Sequence, residues 1–184
     1  MASSAPGRVQ TSSMPEPGLQ IGSEDEARAA LRAHDGARAC LPAACEGGSG
    51  GWKWHRGGSR IAWHEPSSTV IYKIETAYYG SNEAEYRNAQ LLREMGKSWA
   101  PDTSLYALGD SPVRIVLAMP YYPVTVRSRA EIPGDALDLA PDIVLENFRR
   151  TAELPDGQVK VIDLGDIMPV LLGMAGRAGR RKTG

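Results

Sequence analysis

At 184 residues, with 42% hydrophobic residues and a net charge of −1, the chain suits one modest domain with a packed core, and no global field draws it to nucleic acid or a membrane surface. No apolar run approaches the ~20 residues of a membrane span, and no basic region followed by an apolar core opens the chain, so neither a membrane segment nor a signal peptide is expected. Cys40 and Cys45 lie too close together for a bridge that would help a core, and no Cys/His cluster completes a zinc site. They read as free thiols in a reducing compartment, and the expected location is the cytoplasm.

Residues 1–22 are rich in Ser, Pro, Gly and Ala without periodicity and read as a disordered tail. Ser23-Glu24-Asp25-Glu26 fits a capping box, and Ala27, Ala30 and Leu31 continue at helical spacing to about His34, which predicts a short helix. Glu46-Gly47-Gly48-Ser49-Gly50-Gly51 reads as a flexible linker. The domain boundary is therefore placed at Gly51, with 1–51 expected to be tail, helix and linker.

From Trp52 the chain turns aromatic and β-branched. Trp52, Trp54, Ile61, Trp63 and the run Val70-Ile71-Tyr72-Lys73-Ile74, punctuated by Gly57-Gly58-Ser59 and Pro66-Ser67-Ser68, predict three successive antiparallel strands. Ser81 or Asn82 then caps a helix from about Glu83 to Met95, whose buried face is expected to be Ala84, Ala89, Leu91, Leu92 and Met95, with Gly96 as its stop. Tyr106 to Leu108 and Val113 to Met119 read as a hairpin, broken by Pro120-Tyr121-Tyr122-Pro123. Lys73 stands out within this part, because an ammonium inside an apolar strand must be solvated or paired.

Further on, Asp142 and Asn147 lie five positions apart on a predicted loop. A short strand, a Pro-Asp-Gly turn, a second strand and Asp163-Leu164-Gly165 follow. The order of small sheet, single helix, Pro-rich connector, Asp-x4-Asn and Asp-x-Gly resembles the protein-kinase-like phosphotransferases over roughly 52–168, and it is similar to small kinase-like proteins encoded by actinobacterial phages. Leu164 stands where the family's most familiar signature has Phe.

The resemblance implies an α+β, protein-kinase-like two-lobe fold with an N-lobe antiparallel sheet plus one helix and a much reduced C-lobe, the domain occupying 52–168 and a basic tail 169–184. It implies ATP and Mg²⁺ as cofactors, with Asn147 and Asp163 as metal ligands suited to a hard cation. Lys73 contacts the phosphates and pairs with a helix glutamate, Glu85 by first choice and Glu83 by second. Asp142 meets the acceptor hydroxyl. Gly57, Gly58 and Ser59 form the turn over the phosphates, a stretch that reads equally well as a plain hairpin turn. Met119 to Tyr122 form the hinge against which a base packs, with Met119 and Tyr121 as its binding residues.

Three departures from the family pattern bear on function. The stretch between Pro123 and Asp142 is too short for the two helices that a full large lobe spends there, and Pro133-Gly134 forbids a long buried helix within it. Few residues follow Gly165. A second register, with Asp138 in the catalytic place, would put Ile143 on the metal-binding position. Two functions thus stand side by side: a phosphotransferase acting on a protein or small-molecule acceptor, with Asp142, Lys73 and Glu85 as its catalytic residues, and a noncatalytic kinase-like module that binds nucleotide or a partner. A core this thin below the cleft also suggests a dimer or docking onto a partner. No nucleic acid or membrane is implied.

Overall fold

The computed structural model describes residues 20–39, 46–77, 79–122, 133–139, 151–153 and 159–164. Within these residues the protein is α+β. A six-stranded antiparallel sheet holds β1 (Glu46–Ser49), β2 (Trp52–Arg56), β3 (Arg60–His64), β4 (Val70–Glu75), β5 (Ser104–Leu108) and β6 (Arg114–Pro120), in the order β1-β2-β3-β4-β6-β5. Helix α1 (Glu24–Ala37) and helix α2 (Ser81–Glu94) pack on it. A short helix α3 (Gly134–Leu139) and a two-stranded ribbon, β7 (Thr151–Glu153) with β8 (Val159–Val161), complete the described elements.

The register divides the sheet into two chemically different faces, because side chains alternate along a strand. Trp54, Trp63, Tyr72 and Ala118 stand opposite one another in one row across β2, β3, β4 and β6. With Ile61, Ile74, Val116 and Tyr106 they form a buried apolar cluster that includes Ala27, Ala30 and Ala37 of α1. Alanines at this spacing give α1 a smooth face that approaches the aromatic rings closely. The neighbouring row, His55, Ala62, Lys73 and Leu117, faces the other way, toward α2.

Helix α1 begins as its sequence predicts. The Ser23 hydroxyl accepts from the Glu26 N–H at 3.2 Å, and the Glu26 carboxylate accepts from the Ser23 N–H at 2.9 Å. The same carboxylate accepts from the Tyr72 hydroxyl at 2.9 Å, and Trp63 donates its indole N–H to Nδ1 of His34 at 3.2 Å. Ahead of the helix, the Ser104 hydroxyl accepts from the Ile21 N–H and the Tyr106 hydroxyl donates to the Ile21 carbonyl, both at 2.8 Å.

These contacts differ from the expected boundary at Gly51. The segment read as a linker is β1, paired with β2 from Glu46↔His55 to Ser49↔Trp52. Gly50 and Gly51 are its two-residue turn, with φ of 59° and 85°. A tight hairpin turn of that length needs positive φ at both central residues, which is the physical reason for a glycine pair here. Of the tail expected over 1–22, residues 20–22 are ordered against the sheet, with Ile21 buried and bonded to Ser104 and Tyr106, whereas 1–19 lie outside the described residues, as do Cys40, Cys45 and the basic tail of 169–184.

Helix α2 starts two residues before the expected Glu83, and neither Ser81 nor Asn82 is its cap: Gly80 holds that place with φ 71° and no side-chain cap. The free N–H groups find Glu75 instead, at the end of β4. Its carboxylate accepts from the N–H groups of Tyr79, Gly80 and Asn82 at 2.8, 3.3 and 2.7 Å. At the other end, Gly96 with φ 75° and the bonds Gly96 N–H to Arg93 O and Lys97 N–H to Leu92 O close a Schellman motif.

The ribbon is moored to the loop after α2, where Val161 donates its N–H to the Trp99 carbonyl at 2.9 Å and Lys160 its ammonium to the Ser98 carbonyl at 2.6 Å. Helix α3 begins at the expected Pro-Gly break, and Asp135 accepts from Trp99 Nε1 and from Lys97, both at 3.0 Å.

Candidate functional site

The inward face of α2 is the origin of the site. Its buried residues are Asn82, Glu85, Asn88, Ala89 and Leu92, whereas Leu91 and Met95 are 41% and 48% exposed. The expected apolar face is therefore rotated. Successive spacings of three place Asn82, Glu85 and Asn88 on one stripe, and that stripe meets a row of cations and backbone groups.

Glu85 is fully buried at the centre. Lys73, from the cleft row of β4, donates to its two carboxylate oxygens at 2.7 and 3.0 Å. Arg60, at the start of β3, donates Nη1 to Oε2 of Glu85 and Nη2 to Oδ1 of Asp163, and the Asn82 side-chain oxygen lies 3.4 Å from Nη1. The Asp163 N–H donates to Oε1 of Glu85 at 3.0 Å. Burial alone pushes the Glu85 carboxyl up, but Lys73 and Arg60 outweigh it and hold it below the usual carboxylate range. Among the described residues, Lys73 and Arg60 thus face Glu85 and Asp163, a pairing that offsets the cost of burying these groups.

Asp163 follows β8 with φ 66°, a left-handed conformation that Asp adopts more readily than most residues. The next carbonyl, of Leu164, accepts from the Asn88 side-chain amide at 2.6 Å, and the Leu164 side chain is fully buried. Two α2 residues three apart, Glu85 and Asn88, thus hold the backbone on either side of Asp163. Asn82 secures the helix itself, donating its amide to the carbonyls of Lys73 and Ile115 at 3.0 and 2.8 Å.

Beside this cluster opens a cavity of ≈ 440 Å³. Ala62, Ile71 and Lys73 form one wall, Met119 to Tyr122 the connector side, Gly57 and its two predecessors the rim, and Ile162 and Asp163 the opposite wall. This volume falls in the range that encloses a small ligand. Of the expected site residues, Lys73, Gly57, Met119, Tyr121 and Asp163 line it, and Glu85 stands behind Lys73. Gly58 and Ser59 are not on its lining. Ser59 ties the turn to the start of α2 instead, its carbonyl accepting from the Thr76 N–H at 3.1 Å and its hydroxyl lying 3.5 Å from that of Ser81. Glu83, the second-choice partner, is not part of the Lys73 pair. Asp142, Asn147 and Gly165 lie outside the described residues.

In the connector, the Tyr121 N–H donates to the Thr69 carbonyl at 2.7 Å and is thereby engaged within the protein. The Tyr121 ring stacks on His64, with centroids 4.3 Å apart and planes at 23°. Tyr122 is buried, and burial beside Asp102 pushes its hydroxyl up to about 12, so it remains a neutral phenol.

Sequence reasoning missed Ala62, Ile71, Ile162 and the ion pairs of Arg60. Period-2 alternation from Lys73 already puts Ile71 on its face, and Ile162 is the neighbour of Asp163. Arg60 gave no such signal, because an arginine after a Gly-Gly-Ser turn looks like a solvated side chain.

For a divalent metal, Asp163 is the donor that fits: a hard carboxylate on the cavity wall, the ligand type Mg²⁺ takes. Among the described residues no group of three or more His, Cys, Asp or Glu side chains gathers to hold a metal alone, so a cation here depends on ligand oxygens and water as well. No protein-family model matches the chain and no curated protein is significantly similar to it. No helix among the described residues is long and apolar enough to cross a membrane.

Proposed function

We propose that the chain is an ATP-dependent phosphotransferase of the protein-kinase-like superfamily, with the six-stranded sheet and α2 as its nucleotide-binding lobe and residues from Pro133 on as a reduced second lobe. The observation that carries this reading is the meeting of Lys73, Glu85 and Asp163, from a sheet strand, a helix and a post-strand turn, beside a 440 Å³ cavity that Lys73 and Asp163 line together with the connector. A structural ion pair has no need of a cavity beside it, and a cavity has no need of a lysine fixed by a buried glutamate.

In this reading Glu85 fixes the Lys73 ammonium, which meets the α- and β-phosphate oxygens as a point charge. The base lies between Ala62 and Ile71 on one side and Ile162 on the other, against Met119 and the Tyr121 backbone. Asp163, with Asn147 as second ligand, would hold Mg²⁺, and the cation would supply charge neutralisation at the phosphate oxygens. Asp142 orients the acceptor hydroxyl of a protein or small-molecule substrate.

The test is calorimetry with ATP, with and without Mg²⁺, on the full chain and on Lys73→Met, followed by a radiolabel assay for phosphoryl transfer or ATP hydrolysis. Mg²⁺-dependent binding by the wild type, lost in K73M, is the expected result. Absence of nucleotide binding by the wild type overturns the reading. One observation favours a second reading, a noncatalytic kinase-like module: the Asp163 carboxylate already carries the Arg60 guanidinium. Binding without any turnover would select it.

A further inference from the structure

We propose that Arg60 is a latch on the metal site: it holds the Asp163 carboxylate against Glu85 while no divalent cation is bound, and a metal–nucleotide complex gains Asp163 by displacing it. The inference rests on the nucleotide-binding reading and deepens it, assigning to a residue outside the cavity lining the control of metal dependence.

Three features point to this role. The first is the fork. The two Nη atoms of one guanidinium reach two different carboxylates, Glu85 through Nη1 and Asp163 through Nη2. A planar group with donors on separate arms spans such a pair, and a point-charge ammonium does not. The second is charge. A divalent cation arriving at Asp163 would face a guanidinium bonded to Oδ1 of the same carboxylate. Like charges at that distance in a buried place repel strongly, so the bond from Nη2 to Asp163 and a metal bond compete.

The third is what remains after release. Nη1 keeps Glu85, with the Asn82 side-chain oxygen at 3.4 Å. The backbone at Arg60 is fixed by the turn, where Gly57 donates its N–H to the Arg60 carbonyl at 2.7 Å and Thr76 donates its N–H to the Ser59 carbonyl at 3.1 Å. Releasing the Nη2 bond to Asp163 thus leaves the Nη1 bond to Glu85 in place and needs no rearrangement of the strand. Arg60 is a positioning residue: it acts through Asp163 and Glu85.

The probes are ADP and Mn²⁺, measured on the full chain by calorimetry, with free Mn²⁺ followed by electron paramagnetic resonance. Arg60→Gln removes the cation and Arg60→Lys keeps it beside Glu85 without the span. The Mn²⁺ concentration that half-saturates ADP binding should fall about tenfold in R60Q, the scale set by removing one competing charge-assisted hydrogen bond, and less in R60K. ADP affinity in EDTA should not rise in either variant.

A merely structural role would weaken ADP binding equally with and without Mn²⁺, and a direct phosphate contact would weaken the metal-free arm most; either result overturns the proposal. If R60Q fails to unfold cooperatively, R60K decides. ADP bound by the wild type with a Mn²⁺ dependence unchanged in the folded variants overturns the latch alone. No ADP binding by any form, with or without Mn²⁺, overturns the nucleotide reading and the latch with it.

Discussion

Trp63 on β3 and His34 on α1 are joined by a hydrogen bond from the indole N–H to Nδ1, 3.2 Å long, with the rings edge-to-face at 75°. The bond requires an imidazole that is neutral at Nδ1. Burial, with Arg114 and Arg38 nearby and Asp35 opposing them, lowers the His34 pKa to about 4.

The sign of the pH effect follows from that. In the unfolded chain His34 takes a proton near the ordinary value, and in the folded chain it resists. Between about pH 6.5 and 4 the unfolded state binds more protons, so stability falls as pH falls through this window and is fully present above it. The expected loss is on the order of 1–3 kcal/mol. Urea unfolding of wild type and His34→Gln at several pH values checks it: the difference between their slopes should be confined to this window, and parallel slopes would remove His34 as the cause.

Glu75 as a cap supplied by another element gives a second prediction. Glu75→Ala leaves three N–H groups of the α2 approach without their acceptor and should cost about 1–3 kcal/mol. Glu75→Gln keeps an acceptor oxygen and should cost less. Hydrogen exchange at Asn82 should quicken in E75A, and unchanged exchange there would mean the cap is replaceable by water.

Glu85→Gln should cost more, about 3–5 kcal/mol, because it leaves Lys73 and Arg60 buried beside a neutral amide. Adding Lys73→Met to that variant should recover part of the loss. A double-mutant cycle reads the coupling, and additive losses would show that the two side chains do not act as a pair.

Removal of residues 1–50 should abolish cooperative unfolding. It strips α1 and β1 from the sheet, uncovers the Trp63 and Tyr72 face and leaves β2 as a bare edge. Thermal unfolding of the truncated chain, followed by tryptophan fluorescence, decides; an unchanged midpoint would mean the sheet holds without its N-terminal cover.

The strands from Trp52 on were legible because alternation and aromatic content are local signals. Lys73 was legible for the opposite reason: it breaks an apolar run, and a buried ammonium needs a partner. The α2 face was misread because its inward stripe is polar. Asn82, Glu85 and Asn88 look like a solvated side to any rule that equates burial with apolar character, yet their partners are Lys73, Arg60 and the backbone around Asp163.

Strand β1 was hidden by its glycines, since Gly47, Gly48, Gly50 and Gly51 carry no strand preference of their own and only pairing with β2 reveals them. Arg60 was hidden because the partner that defines it lies 103 residues away. The kinase-like order remained a resemblance resting on Asp142 and Asn147, which lie beyond the described residues.

Adjacent positions on β4 reach in opposite directions. Tyr72 gives its hydroxyl to Glu26 on α1, and Lys73 gives its ammonium to Glu85 on α2. A strand slipped by one position would send a lysine into the tryptophan layer and a tyrosine into the carboxylate pair, so both layers reject the error. Among the described strands, β4 is therefore where a single-residue insertion or deletion should be least tolerated.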